Sequence, residues 1–225
     1  MTSKLLYGRA FRAPTFGELN TINNPVGLGN PDLEPETIDT LELAFDYKPT
    51  DALNLNLNLF HYHIDGLIDF VPSASALIAQ NTRDQKASGF ELEASWQASR
   101  QLRLFGNLAL HNAKDANTGE KVADAPRKQL HLGGNLRINN KWSTQLDAFR
   151  IMDRPRASGD ERPEIKDYTW VNLVLNANKI FKDVDVQLSI RNLTDTDARE
   201  PAPDSIPNNY PLEGRGVFLG VSVDL

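Results

Sequence analysis

The sequence contains no cysteine. That excludes a disulfide scaffold, a cysteine-ligated zinc site, an iron–sulfur cluster and any thiol nucleophile. It contains no run of about 18 apolar residues, so no segment can cross a bilayer as a helix. Positive charge is not in excess. The 24 Lys and Arg against 30 Asp and Glu leave a net charge of -6, which argues against non-specific attraction to nucleic acid. The opening MTSKLLYGRAF meets charge too early, and its apolar stretch is too short, to read as a secretory signal. What remains is ordinary usage for a folded chain: 225 residues, 40% hydrophobic and 24% charged. That length is about one and a half average domains, so it reads as one domain or one piece of a larger one.

The dominant pattern has period two. Leu53, Leu55, Leu57 and Leu59 alternate with Asn54, Asn56 and Asn58. A strand places every leucine on one face and every asparagine on the other, whereas a helix scatters them. The alternation recurs in Leu41, Leu43 and Phe45, in Phe90, Leu92, Ala94 and Trp96, and in Val184, Val186, Leu188 and Ile190. It closes with Val217, Leu219, Val221, Val223 and Leu225. Ten strands are expected, at 3–11, 37–47, 53–63, 87–97, 102–111, 127–138, 142–151, 168–178, 184–192 and 215–225. Most run to about 9–11 residues, the length that crosses a bilayer at a tilt.

The connections alternate between short and long. The short ones are 48–52, 98–101, 139–141 and 179–183, and the long ones are 12–36, 64–86, 112–126, 152–167 and 193–214. That parity belongs to an up-and-down barrel of an outer membrane, with short turns on the periplasmic side. Phe45, Tyr47, Trp96, Trp142 and Phe181 then fall at periplasmic ends, and Phe11, Phe149, Tyr168 and Trp170 at extracellular ends. Two aromatic girdles around an apolar band are expected. The opposite face carries Asn54, Asn56, Asn58, Glu91, Glu93, Arg137, Asp185 and Gln187. In a dry interior these groups need a nearly complete hydrogen-bond network, so they are expected to line water or another polar domain.

Six segments, in order, resemble the C-terminal barrel of TonB-dependent outer-membrane receptors: YGRAFRAPTFGEL at 7–19, NPDLEPETIDTLELAFDY at 30–47, ASGFELEASW at 87–96, ADAPRKQLHLGGNL at 123–136, VDVQLSIRNLTDTDAREP at 184–201 and YPLEGRGVFLGVSVDL at 210–225. The resemblance implies an all-β, antiparallel, transmembrane barrel of about 22 strands holding a plug. Residues 1–225 would be the C-terminal part, about ten strands, with the plug domain and signal peptide absent. The chain departs from the family pattern in ending at Leu225, where an aromatic residue is usual, and in carrying Ala198 where a tyrosine is common. The implied function is TonB-energised uptake of a siderophore-like or cobalamin-like ligand such as a ferric chelate, held on the long loops. Implied partners are outer-membrane lipid, the missing N-terminal strands and, through the missing plug, TonB.

Local motifs carry less. His61 and His63 are two imidazoles without a third ligand, and read as a polar rim rather than a metal site; with Asp65 they are too few for the acid and histidine cluster a rim hydrolase needs. His111 and His131 have no partner visible in sequence. Glu91 and Glu93 are a same-face carboxylate pair, but no cleft or nucleophile accompanies them. Asp195, Asp197 and Glu200 are half of a calcium loop. Gly27-x-Gly29 follows no strand and is no dinucleotide fingerprint. Asn192-Leu193-Thr194 is a sequon at a strand end. Segment 152–167 holds Arg154, Arg156, Asp160, Glu161, Arg162, Glu164 and Lys166, and reads as a solvated loop whose arginines could instead contact an anionic chelate. No catalytic, cofactor-binding or metal residue is assigned, no cofactor is called for, and no enzyme is expected. The alternatives are a self-closed ten-stranded barrel with a structural, pore or hydrolase role, in which strand 3–11 pairs with 215–225, or a gene remnant without function.

Overall fold

The computed structural model describes residues 1–225 except 74–75, 204 and 224–225. Leu225, expected on the apolar face, lies outside the described residues. Thirteen strands and one short helix follow each other: β1 (Thr2–Arg12), α1 (Phe16–Asn20), β2 (Gly27–Leu28), β3 (Glu36–Thr50), β4 (Leu53–Pro72), β5 (Leu77–Gln97), β6 (Leu102–Asp115), β7 (Lys128–Arg137), β8 (Trp142–Met152), β9 (Tyr168–Phe181), β10 (Val184–Arg191), β11 (Arg199–Glu200), β12 (Tyr210–Pro211) and β13 (Gly216–Val223). Ten of them form one meander in the order β1-β3-β4-β5-β6-β7-β8-β9-β10-β13. Every neighbouring pair along it is antiparallel. The two-residue β2 pairs in parallel with β5, and β11 and β12 make a separate ladder in the last loop.

The register sorts side chains into two faces, because residues directly opposite each other share a face. One row runs Leu5–Leu43–Leu59–Phe90–Leu110, and another Leu57–Leu92–Leu108–Leu130. At the far end Leu146, Leu173, Ile190 and Val217 line up likewise. The opposite face carries the row Asp46–Asn56–Glu93–Asn107–His131–Phe149–Trp170.

The apolar rows meet no second layer. Among the described residues the buried apolar side chains are Leu33, Ile165 and six alanines, and no strand leucine is among them. The accessible surface is 14698 Å², against about 10,000 Å² for a compact protein of this mass. Leu132 is 55% exposed and Leu146 48%. An apolar face of this extent is far above the few hundred Å² that soluble monomers tolerate.

Three expectations are corrected. First, among the described residues the sheet does not close on itself: there β1 pairs only with β3, and β13 only with β10. Barrel diameter grows with strand number, and ten strands meeting end to end need a sharper bend per strand than this sheet takes. Second, segment 64–86 is mostly a hairpin. β4 and β5 run 20 and 21 residues, and Ile68, Phe70 and Val71 pair with Asn81, Ala79 and Ile78. Register shifts between Ile64 and Ile68, around Gly66 at φ +67, break the alternation that marks the strand in sequence. Third, Phe149, Tyr168 and Trp170 are not girdle residues. Leu146 and Leu173 fix the parity of β8 and β9, so these three rings take the polar face while Arg150 and Thr169 take the apolar one. Phe11 does lie on the apolar face, 73% exposed, and so do Tyr47, Trp96, Trp142 and Phe181 at the short-turn end.

Gly89 ties two strands together. A Cβ there would stand 2.0 Å from the Leu110 carbonyl oxygen and 2.6 Å from the Phe60 ring. Gly89→Ala is therefore expected to destabilise the sheet by about 1–3 kcal/mol, whereas Gly8→Ala, with nothing within 4 Å, should change stability by under about 0.5 kcal/mol. Urea titration of both variants, refolded in zwitterionic micelles, checks the contrast.

Candidate functional site

The polar face divides along the strands. Towards the short turns it is amide and carboxylate. Lys4, Asp46, Asn56, Asn58, Glu91 and Glu93 line a cavity of about 360 Å³, and Asn58 Nδ2 donates to Glu42 at 3.2 Å. The buried Oδ1 atoms of Asn54 and Asn58 have no partner among the described residues, which suits a face that meets water or a separate polar domain. Glu91 stands opposite Asn58 and Ala109, and Glu93 opposite Asn56 and Asn107. Amides, Ala109 and Lys4 surround the carboxylate pair.

Towards the long loops the same face becomes aromatic. Tyr62 Oη lies 3.1 Å from His111 Nε2 and accepts from Gln85 Nε2 at 3.2 Å. Phe60 completes this group, 5.7 Å from the His111 ring. On the next strand, His131 Nε2 lies 2.9 Å from Asp147 Oδ1, and Gln145 donates to the other carboxylate oxygen at 2.7 Å. The imidazole stacks on Phe149 with centroids 4.2 Å apart and meets the edge of Phe105. Trp170 follows in the same cross-strand row and donates to Asn172 at 2.8 Å. Both histidines thus have partners that only the strand register reveals. Flat rings interleaved with hydrogen-bonding groups can take up a planar or partly apolar ligand by stacking.

The loops are bound to one another. The Arg154 guanidinium is fully buried, donating to the carbonyls of Lys166 at 2.6 Å and Arg199 at 2.7 Å, 3.4 Å from Glu200, and lying over the Tyr168 ring. Arg162 donates to the carbonyls of Ala202, Pro203 and Ile206 and pairs with Asp160 at 2.6 Å. Arg156 reaches the Pro163 carbonyl and Asn209. Segment 152–167 is therefore not the mixed-charge solvated loop read from sequence. Its arginines clamp segment 193–214, because guanidinium N–H groups satisfy loop carbonyls that no ladder pairs. The first loop is held similarly. Arg12 bridges Glu18 of α1 at 3.0 Å and Glu36 at 2.6 Å, and Thr15 and Glu18 form a capping box.

The remaining sequence candidates disperse. His63 pairs with Asp65 at 2.8 Å while His61 stands exposed, and among the described residues no cluster of three metal-ligating side chains exists. Asp195 accepts from the Arg215 amide, Asp197 pairs with Arg199, and Glu200 accepts from Tyr168. Gly27 lies in β2, and the Gly29 amide donates to the Thr21 carbonyl, both supporting the first loop. Asn192 of the sequon is fully buried at φ +48. Its amide group donates to the carbonyls of Thr196 and Glu213 and accepts from the Thr196 amide, anchoring the start of the last loop.

Residues 4–193 match the family described as TonB dependent receptor-like, beta-barrel. Among solved structures, a mutant of the ferric enterobactin receptor PfeA from Pseudomonas aeruginosa, in complex with enterobactin, superposes with a TM-score of 0.79 at 19% identity, over 98% of this chain and 38% of its own. The copper transporter OprC gives 0.77 at 19% identity, over 97% and 36%. The siderophore receptor PirA from Acinetobacter baumannii gives 0.76 at 19% identity, over 97% and 38%. The present chain thus spans less than two fifths of each of these proteins. At that identity the likeness is one of fold: the open sheet is a portion of a barrel wall.

Two outcomes follow from the loop clamp. Arg154→Ala leaves the carbonyls of Lys166 and Arg199 without their buried donor, while Glu200 keeps its bond from Tyr168, so amide exchange in 193–214 should open at a free energy lower by about 1–3 kcal/mol. The Arg162 guanidinium, with Arg156 near it, holds the Asp160 carboxyl down at about 2. A depressed carboxylate stabilises the loop fully above its ordinary pKa of about 4, and loses that effect as pH falls through about 2. Carbonyl NMR titration should place the Asp160 midpoint near 2, and Arg162→Gln should move it back up.

Proposed function

The chain belongs to the TonB-dependent receptor β-barrel family, and from that premise we propose that residues 1–225 are one stretch of the wall of an outer-membrane receptor for active uptake of a bulky, scarce nutrient. The observation that carries this reading is the inverted polarity of an open sheet. Leucine and valine rows face away from any core, amides and carboxylates face the other way, and among the described residues the outer edges of β1 and β13 have no strand neighbour. The apolar rows suit hydrocarbon, where each backbone amide needs a strand neighbour. The edges β1 and β13 take their missing neighbours from further strands of the barrel. The polar face looks onto a bore occupied by a plug domain from outside residues 1–225, and it is through that plug that TonB energises transport.

The ligand class we infer is a ferric siderophore-like or similar organic chelate. The strip of Tyr62, His111, His131, Phe149 and Trp170 lies on the polar face towards the long loops, where an incoming ligand arrives. It offers stacking surfaces beside hydrogen-bonding groups. The loop arginines contribute by fixing loop shape. No catalytic role is proposed.

Joining the chain to the plug and preceding strands of a relative such as PfeA, then fractionating cells, tests the reading. The fusion is expected in the outer membrane, with its electrophoretic mobility changed by boiling, and cells carrying it should retain a ferric catechol chelate. Recovery of the fusion, or of the chain alone, as a soluble monomer with folded strands in water would overturn the assignment.

A further inference from the structure

At the long-loop end the apolar face terminates in one continuous cross-strand row: Arg9–Asp39–His63–Lys86–Lys114, extended from Lys114 by a bridge to Lys121. Its two halves differ. Arg9 pairs with Asp39 at 3.7 Å and His63 with Asp65 at 2.8 Å, so that half is neutralised. Lys86, Lys114 and Lys121 stand directly opposed, and among the described residues no acid lies within ion-pair distance of any of them. The acids close by in sequence are engaged elsewhere. Asp84 accepts from the Gly66 amide at 2.9 Å and from Asn117, and Glu120 accepts from Ser158 at 2.9 Å. Like charges opposed across a ladder repel, so three unneutralised ammonium groups in register call for an anion from outside the chain.

The row's position says which anion. Ser88 and Asn112 stand one step down the same face, and Phe90, Leu110 and the leucine rows lie below them. An occupant of the lysine row therefore has its charged part at the row and room for an acyl chain against the apolar face. At the short-turn end that face finishes in Tyr47, Trp96, Trp142 and Phe181, with no opposed row of cations among the described residues. We propose that Lys86, Lys114 and Lys121 form a site for the net-anionic phosphate headgroup of a membrane lipid in the leaflet on the long-loop side. Lys128 and Arg150, also exposed on this face, lie beside it, although each has an aspartate near (Asp153 and Asp167). Basic side chains at a membrane surface attract anionic headgroups, and the attraction fades within a Debye length. The site rests on the reading that the apolar face meets lipid.

The test uses the full chain refolded in zwitterionic dodecylphosphocholine micelles, titrated with short-chain phosphatidylglycerol or phosphatidylcholine and followed by native mass spectrometry. Phosphatidylglycerol is expected to be retained tenfold or more over phosphatidylcholine, on the order expected for several lysines at a lipid surface. The preference should vanish in the triple variant Lys86→Gln, Lys114→Gln, Lys121→Gln and persist in Lys48→Gln, Lys141→Gln, Lys182→Gln at the short-turn end. Circular dichroism confirms that both variants keep the sheet. Equal retention by the two variants overturns the lipid site and leaves the barrel reading standing. Displacement of the lipid by millimolar inorganic phosphate overturns it in favour of a free-anion site. A chain that forms the same sheet in water without detergent overturns both.

Discussion

A strand amide that no water can reach must find its partner in the next strand, and this obligation organises the molecule. Nine antiparallel pairings satisfy it between β1 and β13, and the obligation stops being met at the two outer edges. Because the ladder takes up the main chain completely, side chains are free to divide by parity alone. Leucine after leucine can then face away from any protein core while asparagine and glutamate face the other way. In a water-soluble sandwich the same ladder would bring two apolar faces together, and among the described residues there is no second layer.

Where alternation was strict the sequence was readable. Leu53 to Leu59 on β4 and Val184 to Ile190 on β10 lie on the faces that their period-two pattern dictates. It became unreadable where register changed. The shifts around Gly66 hide the upper half of the β4–β5 hairpin, since a bulge swaps which residues face which way. The aromatic rings show a related difficulty. An aromatic residue at a strand end fits either a lipid girdle or a bore lining, and only the pairing of Leu146 with Leu173 decides that Phe149 and Trp170 take the second place. Partners across strands, such as Asp147 for His131, are separated by 16 residues and leave no local signal.

The charged loops show the same limit in another form. Segment 152–167 has nearly balanced charge, and composition alone makes that a solvated surface. Its arginines are instead buried among carbonyls of segment 193–214, so that two long connections behave as one cap. What composition reads as a solvated loop is a set of guanidinium contacts that join the two connections. The rings on the wall beneath lie on strands and are held in place by ladder pairing rather than by loop packing.

The β4–β5 hairpin reaches well beyond the rest. A tilted crossing needs about 9–11 residues, and at roughly 3.3 Å each its 20- and 21-residue strands span about twice that. The surplus stands as a two-stranded fin, propped at its tip by β2 and at its root by Asn81, which donates to the carbonyls of Glu34 and Gly66. A fin of this kind can grow or shrink by whole residue pairs without altering any apolar row of the sheet beneath it. The length of the fin is thereby uncoupled from the stability of the ten-stranded sheet beneath it, and can diversify at its own pace.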